Sequence, residues 1–274
     1  TEELTDYALD FISKERDNPF CLYLSHKAVH HQFLPPKDIA GRYRSKKLEL
    51  PKESDSWISW NVDHLYAGLI GPLERTYRNY METLYATDLE IGRVFQRLED
   101  LGIADNTIIV YWGDNGYFFG EHRLMDKRFP YEEAMRVPCI IKDPRNRHTA
   151  GQTAEQMVLN IDLAPTILEM AGLTIPNHIQ GKSMMPYLRD TNQFGRDAWL
   201  YEYFAEFPYR VSGLEAIRTK RYKYIEFQGR RGRELYDLKT DRLEQTNIID
   251  SDRGRELLPM LQAKLSELRT EISP

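Results

Sequence analysis

The chain has 274 residues, a formal net charge of -5 and a pI near 5.9. Its hydrophobic content of 41% and aromatic content of 12% are typical of a folded globular protein with one large or two smaller domains. The acidic balance gives no support for a nucleic-acid-binding protein. No stretch approaches the roughly 18 consecutive apolar residues of a transmembrane helix. Any anionic substrate must therefore be recognised by a local cluster of cations.

The first part of the chain alternates helical and strand patterns. Apolar residues at helical spacing predict helices over residues 5–14, 73–101 and 161–171. Short apolar runs predict buried strands over residues 20–25, 107–112 and 137–141. This alternation favours an α/β domain with helices on both faces of the sheet.

Two further features of this part of the chain are its cysteines and a long irregular segment. Cys21 and Cys139 lie in apolar, strand-like runs and do not make a disulfide framework, so we predict two buried free thiols. Residues 26–72 form a long irregular segment of the kind that is usually functional. Its aromatic and histidine side chains either line a sugar-binding cleft or pack the segment down: Trp57, Trp60, His64 and Tyr66.

Beyond about residue 192 the pattern changes to short segments rich in Tyr, Ile and Leu. Residues 198–204, 214–219, 222–227 and 234–238 predict an antiparallel sheet, and residues 254–270 predict a final amphipathic helix. The basic run from Arg218 to Lys223 could contact an anionic glycan. A solvated strand and turn is the more common role of such a run, and we favour it here.

The most informative stretch runs from Ile108 to Pro138. Its strand breaks at Gly113, and Asp114 and Asn115 follow at once. In open α/β sheets, ligands bind at the carboxyl ends of the strands. The side-chain oxygens of an Asp and an Asn suit a hard cation such as Ca²⁺ or Mg²⁺. Three candidate substrate-binding groups come next: His122, Lys127 and Arg128.

Several motifs in this stretch occur together in a fixed order. An isolated Asp-Asn-Gly would indicate only a turn. Here it is followed by Gly-Glu-His, Asp-Lys, Tyr-Glu-Glu and Arg-Val-Pro, at residues 120–122, 126–127, 131–133 and 136–138. The whole series resembles the type I, formylglycine-dependent sulfatases of the alkaline-phosphatase superfamily. The closest pattern is that of N-acetylglucosamine-6-sulfatase-like enzymes acting on glycans, and the resemblance covers essentially the whole chain.

The resemblance implies an architecture. Residues 1–192 would form the C-terminal half of the sulfatase α/β domain, part of a mixed or parallel sheet with helices on both faces. Residues 193–274 would form a smaller C-terminal subdomain, an antiparallel sheet packed with a helix. The family also carries an N-terminal half, with a Cys/Ser-x-Pro-x-Arg motif whose first residue becomes formylglycine and an Asp-Asp pair that completes the metal site. Neither motif is present, and the chain begins at Thr1.

We therefore expect this chain to be the C-terminal part of a larger enzyme, inactive on its own, with the N-terminal half as its partner. In the family, the residues matching Asp114 and Asn115 bind Ca²⁺. Two ligands are too few for a cation that takes about six to eight oxygens, so the calcium site is incomplete in this chain.

The resemblance also implies two catalytic residues. Lys127 matches the family lysine that contacts the sulfate, and a compact ammonium suits an anionic oxygen. His30 matches the histidine that contacts sulfate or protonates the leaving oxygen. Val29 replaces the usual proline and His31 follows directly, so His31 is an alternative to His30, and His26 is a weaker one.

His122 and Arg128 are expected on the substrate side of the site. His122 lies in the Gly-Glu-His run beside the metal loop. Arg128 could bind substrate or could pair with Glu132 or Glu133 as part of the structure, and the structural role is favoured.

The implied function is removal of sulfate from a sulfated carbohydrate or a small sulfate ester. The implied location is periplasmic or secreted, or lysosomal in a eukaryote. One rival is a phosphonate or phosphodiester hydrolase of the same superfamily, whose members commonly have Asp-His where this chain has Asp114-Asn115. An Asp-His pair suits a two-metal site, whereas Asp-Asn suits a single hard cation. The other rival is a non-catalytic half-enzyme that binds sulfated glycans.

Overall fold

In the computed structural model, the described residues are 1–14, 17–51, 72–206, 209, 211–229 and 231–272. They form two compact units. The first unit comprises Thr1–Ile109 and Phe118–Asp126, and the second comprises Val110–Tyr117 and Lys127–Pro274. The predicted division of the chain near residue 192 stays a prediction.

The helices and strands follow one another in this order: α1 (Glu2–Ser13), α2 (Leu73–Asp100), β1 (Ile109–Trp112), β2 (Phe118–Phe119), β3 (Met125–Asp126), α3 (Glu132–Met135), β4 (Cys139–Lys142), α4 (Leu163–Met170), α5 (Met185–Arg189), β5 (Ala198–Tyr203), β6 (Leu214–Thr219), β7 (Tyr222–Phe227), β8 (Arg233–Asp237) and α6 (Asp252–Ile272). Short 3₁₀ turns lie at Ala104–Asn106, Glu121–Arg123, Arg147–Thr149 and Asn160–Asp162. Among the described residues, no helix is long and apolar enough to cross a membrane.

The first unit is built on helices α1 and α2. Ile12, Leu98 and Ala104 form a buried apolar cluster between these helices and the turn that follows α2. Glu82, on the buried side of α2, accepts the backbone N–H groups of Gly41 and Tyr43 at 2.9 and 3.0 Å. Two hydrogen bonds to one carboxylate satisfy a charge that would otherwise be costly to bury, and they attach the turns around residue 41 to the helix.

The second unit contains the antiparallel sheet β5-β6-β7-β8. Helix α6 packs on this sheet through Leu257, Leu261 and Leu265, which recur at the spacing of one helix face. Their partners on the sheet include Ile217 and Tyr224, both fully buried. Burying each such apolar side chain contributes roughly 1.5–3 kcal/mol, so this cluster forms the core of the C-terminal region.

Most of the predicted elements are confirmed. The predicted helices correspond to α1, α2, α4 and α6, and the four predicted strands of the C-terminal sheet correspond to β5–β8 within one or two residues at each end. The predicted strands at 107–112 and 137–141 correspond to β1 and β4, which pair with each other in a two-stranded sheet. The β5–β8 sheet and α6 follow from periodicity because their apolar faces are buried against each other.

The predictions of burial fail in two places. Residues 20–25 form no strand, and Cys21 and Tyr23 are exposed, the latter to 81%. On β4, Cys139 is exposed and the side chain of Ile140 is 62% exposed. An apolar run predicts burial only if other elements cover it, and β1 is the one neighbour that β4 has among the described strands. The prediction of two buried thiols is therefore wrong, although both cysteines are free.

Candidate active site

The loop after β1 carries the two predicted metal ligands. The N–H of Gly113 donates to the carbonyl of Pro138 at 3.2 Å, which fixes the point where the strand ends. Asp114 is exposed, and its Oδ1 accepts the N–H of Asn115 at 2.8 Å. The Asn115 amide nitrogen donates to the carbonyl of Gly116 at 2.8 Å, so the amide oxygen is the atom that can serve a cation.

Helix α3 supports the next part of this loop. The N–H of Gly116 donates to the carbonyl of Ala134 at 2.8 Å, and the N–H of Tyr117 donates to the carbonyl of Glu133 at 3.1 Å. The approach is so close that a Cβ on Gly116 would lie 1.9 Å from the Glu133 carbonyl oxygen. Only glycine fits at this position, which is the physical reason for the Gly of the Asp-Asn-Gly motif.

A second support comes from the turn before α4. Asn160 donates from its side chain to the carbonyl of Asp114 at 2.6 Å. Two residues later, Asp162 is almost fully buried and receives both terminal nitrogens of Arg196 at 2.8 Å. Its oxygens also accept the N–H groups of Leu159 and Lys182. This bidentate pair holds the turn that carries Asn160, and the sequence analysis did not identify either partner.

Lys127 and Arg128 lie in the same unit as the loop. Lys127 is half-buried and makes no ion pair with any residue that the structure describes. Arg128 places its guanidinium 3.2 Å from the centre of the Tyr209 ring and 3.7 Å from Glu206. The partners of Arg128 therefore include an aromatic ring and the carboxylate of Glu206.

Glu132, in the Tyr-Glu-Glu motif, is held by the C-terminal sheet. Arg218 contacts its carboxylate at 3.0 Å and Lys223 contacts it at 2.9 Å. The preceding Tyr131 is buried and donates its hydroxyl to Glu234 at 2.6 Å. Since Lys223 is fully buried and Arg218 is largely so, the reading of the run from Arg218 to Lys223 as a solvated face is wrong for these two residues.

The electrostatics of this cluster favour an ionised Glu132. Burial opposes its ionisation, but Lys223 and Arg218 outweigh burial and lower the pKa of Glu132 to about 2. Glu244 lies 2.6 Å from Lys223, yet burial dominates there and raises the pKa of Glu244 above its ordinary value. The tyrosines near Arg128 stay neutral, because burial raises the pKa of Tyr117 and of Tyr201 to about 12.

The candidate histidines belong to the first unit. His30 is exposed, and its Nδ1 lies 2.5 Å from the carbonyl of His31. A carbonyl can only accept, so Nδ1 carries the proton and Nε2 is the nitrogen that can exchange one. His26 is half-buried, and burial lowers its pKa, so a smaller fraction of His26 side chains carries the second proton. The choice of His30 over His26 and His31 stays a prediction.

His122 also lies in the first unit. It adopts a left-handed conformation, with φ of 52°, in the turn Glu121–Arg123, and its ring packs edge-on against Phe118 at 6.2 Å between centroids. The structure thus groups Asp114, Asn115, Lys127 and Arg128 in one unit and His30 with His122 in the other. Their convergence on one substrate stays a prediction. The aromatic residues predicted to line a cleft lie outside the described residues: Trp57, Trp60, His64 and Tyr66.

Comparison with known families decides the identity of this fold. A family model described as "Sulfatase" matches residues 1–173, and one described as "N-sulphoglucosamine sulphohydrolase, C-terminal" matches residues 120–271. The chain belongs to the sulfatase family. The sequence-based family prediction is confirmed, and the two matches together span the Asp114-Asn115 loop, α3 and the C-terminal sheet.

Individual sulfatases and one related hydrolase are similar over nearly the whole chain. An N-acetylglucosamine-6-O-sulfatase of Bacteroides thetaiotaomicron is 30% identical over 339 aligned residues, covering 96% of this chain and 60% of that protein. A solved structure described as a complex with its substrate D-glucosamine-2-N,6-O-disulfate has a TM-score of 0.84 and 27% identity, covering 98% of this chain and 69% of that one. A phosphonate monoester hydrolase of Agrobacterium radiobacter has a TM-score of 0.81 at 23% identity, covering 97% and 60%, and shows the shared fold alone.

These comparisons confirm the α/β fold class expected for the chain. The chain spans 60% of the length of the Bacteroides sulfatase and 56% of an arylsulfatase of Clostridium perfringens. The comparisons therefore establish family and fold for this polypeptide.

Proposed function

We propose that this chain is the C-terminal portion of a sulfatase that hydrolyses a sulfate ester on a carbohydrate. The observation that carries the proposal is the Asp114-Asn115 loop, held by α3 and Asn160 in a chain of the sulfatase family. Glucosamine bearing sulfate is the proposed substrate class. It is supported by the names of the Bacteroides relative and of the structure solved with a glucosamine disulfate.

Asp114 and Asn115 would hold the cation. The fit is supported by hard oxygen donors, since Asp114 is exposed and the Asn115 amide oxygen is the end of its side chain not engaged with Gly116. Calcium, which takes about six to eight oxygens, is the proposed ion, and the remaining ligands are expected from the N-terminal half. When bound, the cation would supply positive charge beside the sulfate oxygens.

Lys127 would bind the sulfate group. It is half-buried and lacks an ion-pair partner among the described residues, a state that an anionic ligand would complete. An ammonium at this position would stabilise the negative charge that shifts onto the sulfuryl oxygens as the ester bond breaks. Arg128 and His122 are proposed to contact the sugar or a further anionic group on it.

His30 would assist the leaving alcohol. With Nδ1 hydrogen-bonded to the carbonyl of His31, a protonated Nε2 is the group that can donate to the ester oxygen as the sulfur–oxygen bond breaks. The proton then resides on the released sugar hydroxyl, and His30 is left neutral until it takes up a proton from solvent.

The nucleophile is proposed to come from the N-terminal half of the same enzyme, as a formylglycine. The exposure of Cys139 and Ile140, on opposite faces of β4, supports a covering partner, because an exposed apolar strand is an association surface. The location, periplasmic or secreted, or lysosomal in a eukaryote, belongs to the same proposal.

The test is release of inorganic sulfate from D-glucosamine 6-O-sulfate. It compares the 274-residue chain with the complete polypeptide that contains it, each first identified by intact mass. The complete protein should release sulfate in the presence of Ca²⁺, and the chain alone should not. Lys127→Ala should lower kcat/KM about 10²–10³-fold and His30→Ala about 10²–10⁴-fold. Lys239→Ala and His178→Ala change exposed residues of the same types and should leave the rate unchanged.

Three outcomes would overturn parts of this proposal. Turnover of a phenylphosphonate monoester without any sulfate release would make the protein the rival phosphonate hydrolase. Binding of a sulfated glycan without hydrolysis by the complete protein would make it a binding protein. Sulfate release by the isolated chain would show that the nucleophile lies within these 274 residues.

A further inference from the structure

Lys223, on β7, is the centre of a buried charge cluster that takes no part in the proposed chemistry. Its side chain is fully buried, and its Nζ lies 2.6 Å from Glu244 and 2.9 Å from Glu132. Lysine is almost never buried completely unless it is paired, because removing an ammonium from water costs several kcal/mol. A residue with that cost and those two partners calls for an explanation.

The cluster holds Glu132, the first residue of α3, through its backbone and through its side chain. Glu244 accepts the backbone N–H of Glu132 at 2.8 Å, and Arg218 grips the Glu132 side chain from β6 at 3.0 and 3.3 Å. The cluster thus pairs two cations with two carboxylates. The amino end of α3 is therefore fixed to the C-terminal sheet through both its backbone and its side chain.

The next two residues of α3 hold the loop that follows Asp114 and Asn115. Its Glu133 and Ala134 carbonyls accept the N–H groups of Tyr117 and Gly116. Because a Cβ on Gly116 would lie 1.9 Å from the Glu133 oxygen, helix and loop are in direct backbone contact. A shift of α3 by a few tenths of an ångström must therefore be taken up by the loop.

Stability alone gives no reason to keep such a cluster. Replacing buried ion pairs with apolar residues of similar volume is often neutral or stabilising, whereas paired charges fix one arrangement and disfavour others. A neutral core would leave the amino end of α3, a helix of four residues, without the directional restraint that the charged pairs supply.

We infer that Lys223 is a positioning residue for the Asp114-Asn115 loop, acting through Glu132, Glu244 and α3. The inference deepens the proposed function and rests on it for the meaning of the loop. The mechanical link itself needs neither metal nor substrate, so it can be tested separately.

The experiment measures hydrogen exchange of the Gly116 and Tyr117 amides in the purified chain. Lys223→Met removes the charge and keeps an unbranched side chain that is one atom shorter. Exchange of these two amides should become at least tenfold faster, while amides of the β5–β6 ladder change less than threefold. Leu261→Ala is the matched control, because it opens a cavity in the core against α6 without touching the cluster. When Leu261→Ala and Lys223→Met are compared at the same loss of global stability, Leu261→Ala should leave exchange of the Gly116 and Tyr117 amides near the wild-type rates.

A second variant keeps the test decisive if Lys223→Met fails to fold. Lys223→Met/Glu244→Gln removes one charge of each sign and retains an acceptor for the Glu132 N–H. Its two loop amides should exchange at least threefold faster than in the wild type and more slowly than in Lys223→Met. Wild-type rates in either variant, or an increase no larger than that of Leu261→Ala, would overturn the inference. Faster exchange in the chain, together with no sulfate release by the complete protein, would retain the positioning role and reject the proposed function.

Discussion

Arg218 and Lys223 lie directly opposite one another across the β6–β7 ladder, and the carboxylate of Glu132 contacts both. Two like charges in directly opposed positions of a sheet destabilise it. Here the compensating negative charge is the carboxylate of Glu132, on the short helix α3, which lies far from both cations in the sequence. Glu132 offsets the repulsion between the two cations, so folding of the C-terminal sheet and placement of α3 stabilise each other.

This arrangement predicts an acid-sensitive contribution to stability. Glu132 has a folded-state pKa of about 2, below its unfolded value of about 4.3, so its contribution is present above the unfolded pKa and is lost as the pH falls towards 2. The contribution at neutral pH is on the order of 3 kcal/mol. The raised pKa of Glu244 has the opposite sign: burial disfavours its ionised form, so Glu244 costs stability above its unfolded pKa, and protonation relieves that cost.

Urea unfolding between pH 7 and pH 3 measures this contribution. The free energy of unfolding of Glu132→Gln should be lower at pH 7 and should fall less steeply below about pH 5 than that of the wild type. Glu256→Gln changes an exposed carboxylate on α6 and should keep the wild-type pH profile. Parallel curves for Glu132→Gln and wild type would show that Glu132 is not the acid-sensitive group.

Gly116→Ala should damage the metal loop. The added Cβ meets the Glu133 carbonyl oxygen at 1.9 Å, and backbone must move because no flexible side-chain end is involved. We expect a loss of about 1–3 kcal/mol in the free energy of unfolding and at least a tenfold loss of sulfatase activity in the complete enzyme. Gly92→Ala is the control, since its Cβ would meet nothing within 4 Å and alanine favours the helix α2. Equal stability and activity of the two variants would contradict the proposed contact.

Local patterns in the sequence predict much of the fold. The bounds of β6 and β7 follow from Tyr-, Ile- and Leu-rich runs separated by a polar turn, and α6 follows from leucines on one face. The position of the Asp114-Asn115 loop is predictable because the strand signal ends just before it. Each of these signals is contained within about ten residues of the feature that it predicts.

The support of the loop is not local, and the sequence does not reveal it. Lys223 stands in a basic run that resembles a solvated turn, and its burial depends on Glu132 and Glu244, which lie elsewhere in the chain. The exposure of Ile140 is missed for a related reason, because apolar character shows what a strand would bury and not whether a neighbour is there to bury it. The partner of a buried charge, and the element that covers an apolar strand, can be identified only from the tertiary structure.

Arg196→Met should strongly destabilise the second unit. Asp162 has a side chain that is 1% exposed and receives both terminal nitrogens of Arg196, so removing the arginine leaves a buried carboxylate without its cation. We expect a loss of about 3–5 kcal/mol in the free energy of unfolding by urea. Arg189→Met breaks the exposed pair with Glu169 and should cost at most about 1 kcal/mol. Similar losses from the two substitutions would mean that the Asp162 pair does not hold the turn that carries Asn160.

The exposed thiol of Cys139 on β4 provides a test of the proposed N-terminal partner. In a Cys21→Ser background, Cys139 is the single thiol, and its exposure predicts that a maleimide reagent modifies it in the native 274-residue chain. In the complete enzyme, a strand laid along β4 should slow that modification at least tenfold, because the reagent reaches only an accessible thiol. A control protein with Cys21→Ser, Cys139→Ser and Ser266→Cys carries its thiol on an exposed position of α6, which should react at the same rate in both forms. Equal rates for Cys139 in the two forms would show that β4 remains uncovered, and the exposed Ile140 would then have to be explained by a different partner.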